Sequence, residues 1–356
     1  MRPGLDAGTY VPALDGLRGV AVLLVVLFHT LTPPFKSGFI GVEVFFVLSG
    51  YLICDLLLRE QERTGCISLF RFYMRRFLRL MPALWTLLIA VLALIFWEFD
   101  KDVFSKARSE ALWALLYVSN WVRALGHAED MHFFAHTWSL GIEEQFYLLW
   151  PVALYFCVVR GGARRVLYMA LVLACACWLW RCALLLQGAS ADRLYNGLDT
   201  RLDALMWGCA LAAWVRGRSA PLTERQQRVL CLLEPAAAAA LILLGCCLDW
   251  RSAYFHSVAS TGVTWVAALL VFGAVRNPRS LLRPLLCWRP LVFLGTISYG
   301  LYLWHWSLEM LLLQQDVDIS QLRVFTWVLA PFLAWLSFVL VERPFLRLKA
   351  RFAPEC

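Results

Sequence analysis

The sequence predicts an all-α fold: a polytopic membrane helical bundle of about ten transmembrane helices with both termini cytoplasmic. Three observations carry this expectation. Hydrophobic residues make up 61% of the 356-residue chain and charged residues only 16%, whereas soluble domains are about a quarter charged. The apolar residues fall into blocks of about 20, the length that crosses a hydrocarbon core. Arginines collect in alternate connections, the pattern by which basic loops stay inside.

Spans are expected at 13–32, 40–58, 80–98, 137–158, 166–186, 201–215, 228–248, 257–275, 292–313 and 322–342. The patch 109–122 is too short and too polar at its ends to span, and reads as an interfacial or re-entrant helix within the long 99–136 loop. Orientation follows from the connections. Arg59, Arg63, Arg71, Arg75, Arg76 and Arg79 follow the second span, and Arg160, Arg164 and Arg165 the fourth. Arg216, Arg218, Arg225 and Arg228, then Arg276, Arg279, Arg283 and Arg289, and finally Arg343, Arg347, Lys349 and Arg351 repeat the bias. The opposite loops carry Asp100, Asp102, Glu129, Asp130, Asp316 and Asp318, so the 99–136 loop is expected outside. The net charge of +8 therefore reads as membrane orientation and contact with lipid, not as a nucleic-acid surface. No cleavable secretory signal is expected before the first block. The twelve cysteines show neither zinc spacing nor a disulfide framework and read as small packing residues.

The first span, ALDGLRGVAVLLVVLFHT, places Arg18 and His29 eleven steps apart. That is close to three turns, so both side chains share one stripe, separated by roughly 16 Å along the axis. A cation and an imidazole on one face of a membrane helix are expensive, hence functional candidates, with snorkelling and interhelical hydrogen bonding as the plainer alternatives. Asp15, three residues before Arg18, is placed to hold the guanidinium. In the second span, Gly41 and Gly50 suit close helix approach.

Arg75, Arg76 and Arg79 cluster if their segment is helical, and guanidinium forks at that position fit either the phosphates of a cofactor or anionic lipid. The fourth span opens with TWSLGIEEQFYLLWP, where Glu143 and Glu144 lie about 100° apart around the axis. A buried carboxylate there can orient an imidazole or take a proton itself. In the sixth, Arg201 and Asp203 either neutralise each other or contact substrate. In the ninth, His305 is either a second proton-handling group or a bundle hydrogen bond. His127, His132 and His136 resemble ligand spacing only superficially, and no metal site is expected.

These segments together resemble the acyltransferase-3 family of integral membrane acyltransferases. Arg18 and His29 match its R-x10-H element and Arg76 and Arg79 its RxxR. SLGIEEQFYL, RLDAL, ISYGLYLWH and the closing ERP are similar to family segments in the same order. One departure is visible: Ser307 stands where relatives often carry proline two residues after the ninth-span histidine, which implies a less kinked helix.

The resemblance implies one membrane domain over 1–356 with no appended soluble domain. It implies transfer of an acyl group, usually acetyl, from cytoplasmic acyl-CoA to a hydroxyl. Acetyl-CoA is then a co-substrate, not a permanently bound cofactor. The acceptor is expected to be an extracytoplasmic or lipid-linked sugar of a surface polysaccharide, with exopolysaccharide favoured, a small molecule such as a macrolide the alternative, and polysaccharide-assembly proteins as further partners. Arg18, Arg76 and Arg79 would bind the donor. His29 would act as base, its pKa of about 6.5 when unperturbed suiting neutral pH, with Glu143 or Glu144 orienting its ring. Arg201, Asp203 and His305 would face the acceptor. A transporter or flippase of lipid-linked sugar also uses buried charges, but the inverted repeats that would favour it are not visible. A sensor or scaffold would explain neither the RxxR cluster nor the Arg18–His29 pair.

Overall fold

The structure, a computed structural model, describes residues 10–127, 131–218, 220–315 and 317–352; Glu129, Asp130 and Asp316, used above for orientation, lie outside them. No strand occurs among the described residues. Fifteen α-helices follow in order among the described residues. The first five are α1 Pro12–His29, α2 Gly41–Thr64, α3 Leu69–Glu98, α4 Lys101–Leu115 and α5 Ser119–Val122. The next five are α6 Trp138–Leu186, α7 Ala191–Asn196, α8 Leu198–Arg216, α9 Glu224–Cys247 and α10 Ser260–Arg276. The last five are α11 Arg283–Leu286, α12 Arg289–Thr296, α13 Ser298–Leu313, α14 Ile319–Ser337 and α15 Arg343–Leu348.

Among the described residues, seven helical stretches are long and apolar enough to cross a membrane: Pro12–His29, Gly38–Thr64, Leu69–Glu98, Gly161–Leu186, Glu224–Cys247, Phe255–Arg276 and Ile319–Leu348. The expected spans 137–158, 201–215 and 292–313 are helical but are not among them. The reason is physical. The first carries Glu143, Glu144 and Gln145, the second Arg201 and Asp203, and the third is broken at Ile297 between α12 and α13. Much of their surface faces other helices instead of lipid: α8 buries Thr200, Arg201, Asp203 and Ala204, and α13 buries His305, Ser307 and Glu309.

α6 is two helices joined where Gly161 and Gly162 leave helical geometry, Gly162 with φ of 65°, a left-handed backbone that glycine adopts without a Cβ penalty. This is the turn expected at 159–165. α1 packs on α2, α12 and α13, and α8 packs on α2 and α6. Gly50 permits the α2–α8 contact, since a Cβ there would lie 1.9 Å from the Leu205 carbonyl oxygen. α3 begins eleven residues earlier than the expected 80, because its arginine-rich first turns are amphipathic helix and not loop. Ten of the described cysteines are free.

The 99–136 loop is mostly structured. Asp100 caps α4 by accepting from the backbone N–H groups of Asp102 and Val103, both at 2.9 Å. Buried Glu110 accepts from Phe134 N–H at 2.9 Å, and burial pushes its carboxyl up to about 7 despite the backbone donors around it. Gln145 Nε2 donates to Tyr117 O at 2.7 Å and Asn120 Oδ1 at 2.9 Å. The segment after α4 thus packs against α6 about 10 Å along the helix from its start at Trp138.

Candidate active site

α1 ends at His29, and the chain turns away because Thr30 Oγ1 donates to Val26 O at 2.8 Å and Arg323 caps the exposed carbonyls. The guanidinium donates to Thr30 O at 3.0 Å and Leu31 O at 2.7 Å. His29 Nδ1 lies 3.0 Å from His305 Nε2, across 276 residues of sequence. His305 is fully buried, and its Nδ1 lies 3.1 Å from the Leu301 carbonyl one turn earlier. The Trp306 ring meets His29 edge-on at 4.7 Å. A third imidazole, His136, is buried with its centroid 5.9 Å from that of His305, and neither of its ring nitrogens has a partner among the described residues. Ser307 donates to Phe133 O at 2.8 Å, which ties α13 to the approach to α6.

At the other end of α1, Arg18 Nη1 pairs with Asp15 at 2.8 Å, as the i,i+3 spacing predicts. Tyr10 donates to the second Asp15 oxygen at 2.8 Å. Arg18, Arg76 and Arg79 line one cavity, with Ser49, Glu143, Tyr147, Ser139 and Tyr302 further along its wall. The third arginine of the cluster, Arg75, turns away to Glu60 at 2.8 Å and to the Phe352 carbonyl at 2.8 Å. Arg76 lies 5.2 Å above the Tyr147 ring. Among the described residues, no carboxylate stands within ion-pair distance of Arg76 or Arg79, although Glu143 lines the same cavity.

The glutamates differ from the expectation that one of them orients His29. Glu143 lines the cavity and accepts a short hydrogen bond from Ser49. Glu144 is outside the cavity lining and acts electrostatically on Arg76. The ring nitrogen of His29 is instead met by His305, because α13 and not α6 packs against the end of α1.

Arg201 and Asp203 do not neutralise each other. Arg201 pairs with Glu43, both about 1% exposed, and sits 4.7 Å over the Tyr195 ring. Asp203 pairs with Arg181 at 2.9 Å, and Arg181 also donates to the carbonyls of Thr200 and His256. Of the three expected acceptor contacts, Arg201 and Asp203 are therefore enclosed in the protein wall that joins α8 to α2 and α6, and His305 is fully buried against His29.

Sequence reasoning missed Arg181, Ser49, Ser139, Tyr147 and His136 as parts of this arrangement. Ser139 and Tyr302 close the cavity on the histidine side: their hydroxyls are 2.6 Å apart, and Tyr302 donates to the His136 carbonyl at 2.9 Å. Tyr147 was within reach, standing one helical turn after Glu143 in SLGIEEQFYL. Arg181 offered only its charge in the run WLWRCALLL.

A family model described as an acyltransferase domain matches residues 11–341. Among curated proteins, the chain is 34% identical over 349 residues to the peptidoglycan O-acetyltransferase OatA of Listeria monocytogenes, covering 94% of this chain and 56% of that one. It is 34% identical over 352 residues to the putative peptidoglycan O-acetyltransferase YrhL of Bacillus subtilis, covering 94% and 55%. With the O-acetyltransferase OatA of Staphylococcus aureus it shares 31% over 346 residues, covering 94% and 57%. The chain thus spans little more than half the length of these relatives. No solved structure matches it. The fold of apolar helices, the arginine-lined cavity and the match across nearly the whole chain converge: this membrane protein belongs to the acyltransferase-3 family.

Proposed function

We propose that the chain is an O-acetyltransferase that moves an acetyl group from acyl-CoA, entering from the cytoplasm, to a sugar hydroxyl of a surface polysaccharide outside. The observation that carries this reading is the cavity that α1 lines with Arg18. It is lined by Arg76 and Arg79, which make no ion pair among the described residues, and by Ser139 and Tyr302, the latter bonded to the His136 carbonyl. Guanidinium forks without partners suit the phosphates of coenzyme A. The separation of roughly 16 Å between Arg18 and His29 suits an extended pantetheine arm.

In the transfer, the imidazole of His29 takes the proton of the acceptor hydroxyl as its oxygen attacks the thioester carbon. The C–O bond forms, the C–S bond breaks, and the coenzyme leaves as a thiolate that the proton then neutralises. Glu143 and Ser49 face the cavity and would flank the pantetheine arm, and the short hydrogen bond between them fixes both side chains. The names of the relatives support a cell-surface carbohydrate as acceptor. The decisive experiment uses purified protein in lipid nanodiscs with labelled acetyl-CoA and a polysaccharide acceptor. His29→Ala should abolish transfer while the protein remains folded and membrane-bound; an active His29→Ala variant would overturn the assignment.

A further inference from the structure

We infer that His305 is a positioning residue that holds His29 in one tautomer and so decides which of its nitrogens is the base. This rests on the transfer reading above and deepens it. The argument starts from an atom with no choice. The Leu301 carbonyl has only lone pairs, so His305 Nδ1, 3.1 Å away, must carry hydrogen. In the neutral ring, His305 Nε2 is then an acceptor. His29 Nδ1 lies 3.0 Å from that nitrogen and must donate to it. The hydrogen of neutral His29 is thereby assigned to Nδ1, and Nε2 holds the free lone pair.

The surroundings leave no rival for this bond. Trp306 presents an edge to His29 at 4.7 Å between centroids, and Phe28 packs on it at 4.9 Å. His136 faces His305 with 5.9 Å between centroids and makes no hydrogen bond to either ring. His305 is itself fully buried on α13, so its ring cannot turn to water for another partner. When His29 takes the acceptor's proton on Nε2, its Nδ1–H remains directed at His305 Nε2, and that bond becomes charge-assisted. His305 never touches the reacting atoms. It acts through the ring that does.

The test reads the tautomer directly and activity separately. Protein with ¹⁵N-labelled histidine is placed in nanodiscs, and the His29 signals are assigned by their loss in His29→Asn. In the wild-type chain at neutral pH, Nδ1 should appear protonated and Nε2 unprotonated. His305→Gln places an amide oxygen as acceptor near the same point and should keep both this tautomer and most of the activity. His305→Phe removes the acceptor and should move His29 toward the Nε2–H form. It should also lower kcat by about 10²- to 10⁴-fold with little change in the donor KM, the range seen when a base is lost or held in the wrong tautomer.

A wild-type His29 found as Nε2–H would overturn the inference, as would an unchanged tautomer in His305→Phe. If His305→Phe does not fold, the wild-type and His305→Gln spectra still decide. If the tautomer behaves as expected but no form of the chain transfers acetyl, the functional reading fails and the histidine pairing stands.

Discussion

Arg201 and Glu43 offer a measurement that separates a wall residue from a substrate contact. Both side chains are about 1% exposed, and they join α8 to α2. Removing one partner of such a pair strands the other, at a cost of about 3–5 kcal/mol. The Tyr195 ring, 4.7 Å from the guanidinium, adds about 0.5–2 kcal/mol to the loss when the arginine goes. The two single variants should nonetheless be unequal in a particular way. Arg201→Met leaves Glu43, which can escape its burial by taking up a proton. Glu43→Leu leaves a guanidinium that has no such escape. Glu43→Leu should therefore carry the larger charge penalty, and Arg201→Met should recover stability as the pH falls. The double variant removes both charges and should stand within about 1–2 kcal/mol of wild type, because apolar replacements of a buried pair are commonly near neutral. Unfolding in mixed micelles, followed by the fluorescence of the 17 tryptophans, gives the coupling energy by double-mutant cycle. Additive single effects would refute the pairing argument. So would an Arg201→Met chain of wild-type stability that has lost only acceptor affinity.

Other perturbations address the arginine cluster and the 99–136 loop. Arg79→Gln and Arg76→Gln should each raise the KM for acetyl-CoA by about 10- to 100-fold, the loss of one charge-assisted contact of about 1.5–3 kcal/mol, and leave stability nearly unchanged. Arg75→Gln should do the reverse, since it strands buried Glu60 at the 2.8 Å pair; thermal unfolding together with donor titration distinguishes the two patterns. At Glu110, burial raises the folded-state pKa to about 7. The protonated form is then favoured by folding, and the stabilisation is fully present below the unfolded carboxylate range and lost as pH rises through about 7. Protease nicking of the 99–136 loop should increase from pH 5 to pH 8 and lose most of that dependence in Glu110→Gln.

What the sequence made legible was local. The start of α1, the turn at Gly161–Gly162 and the Arg18–Asp15 contact all follow from patterns within a few residues. Gly50 was readable as a packing residue because a small side chain inside an apolar run has few other uses. The partners that cross the bundle were not legible. His29 meets a residue 276 positions away, and nothing in either helix alone favours His305 over the glutamates of α6. Arg201 and Asp203 stand two apart, which invites pairing, yet successive helical positions point about 100° apart. They are claimed separately by α2 and α6. Hydropathy also misjudges helices such as α8, which keep their polar groups among protein neighbours and need no lipid-facing apolar surface.

The arginines of the bundle divide by whether protein has already answered their charge. Arg181, Arg201 and Arg75 each have a buried carboxylate, and Arg216 takes Asp55 at 2.7 Å; these hold helices together. Arg18 is answered within its own helix by Asp15, which fixes the guanidinium while leaving it on the cavity wall. Only after that accounting do Arg76 and Arg79 stand out. An unanswered guanidinium at a half-buried site is costly unless an anion spends much of its time there, and here two such groups share one cavity with Arg18. Glu143 lines that cavity and Glu144 and Glu342 act on the two guanidiniums electrostatically, but none forms an ion pair with them among the described residues, which leaves their direct contacts open to an anionic donor.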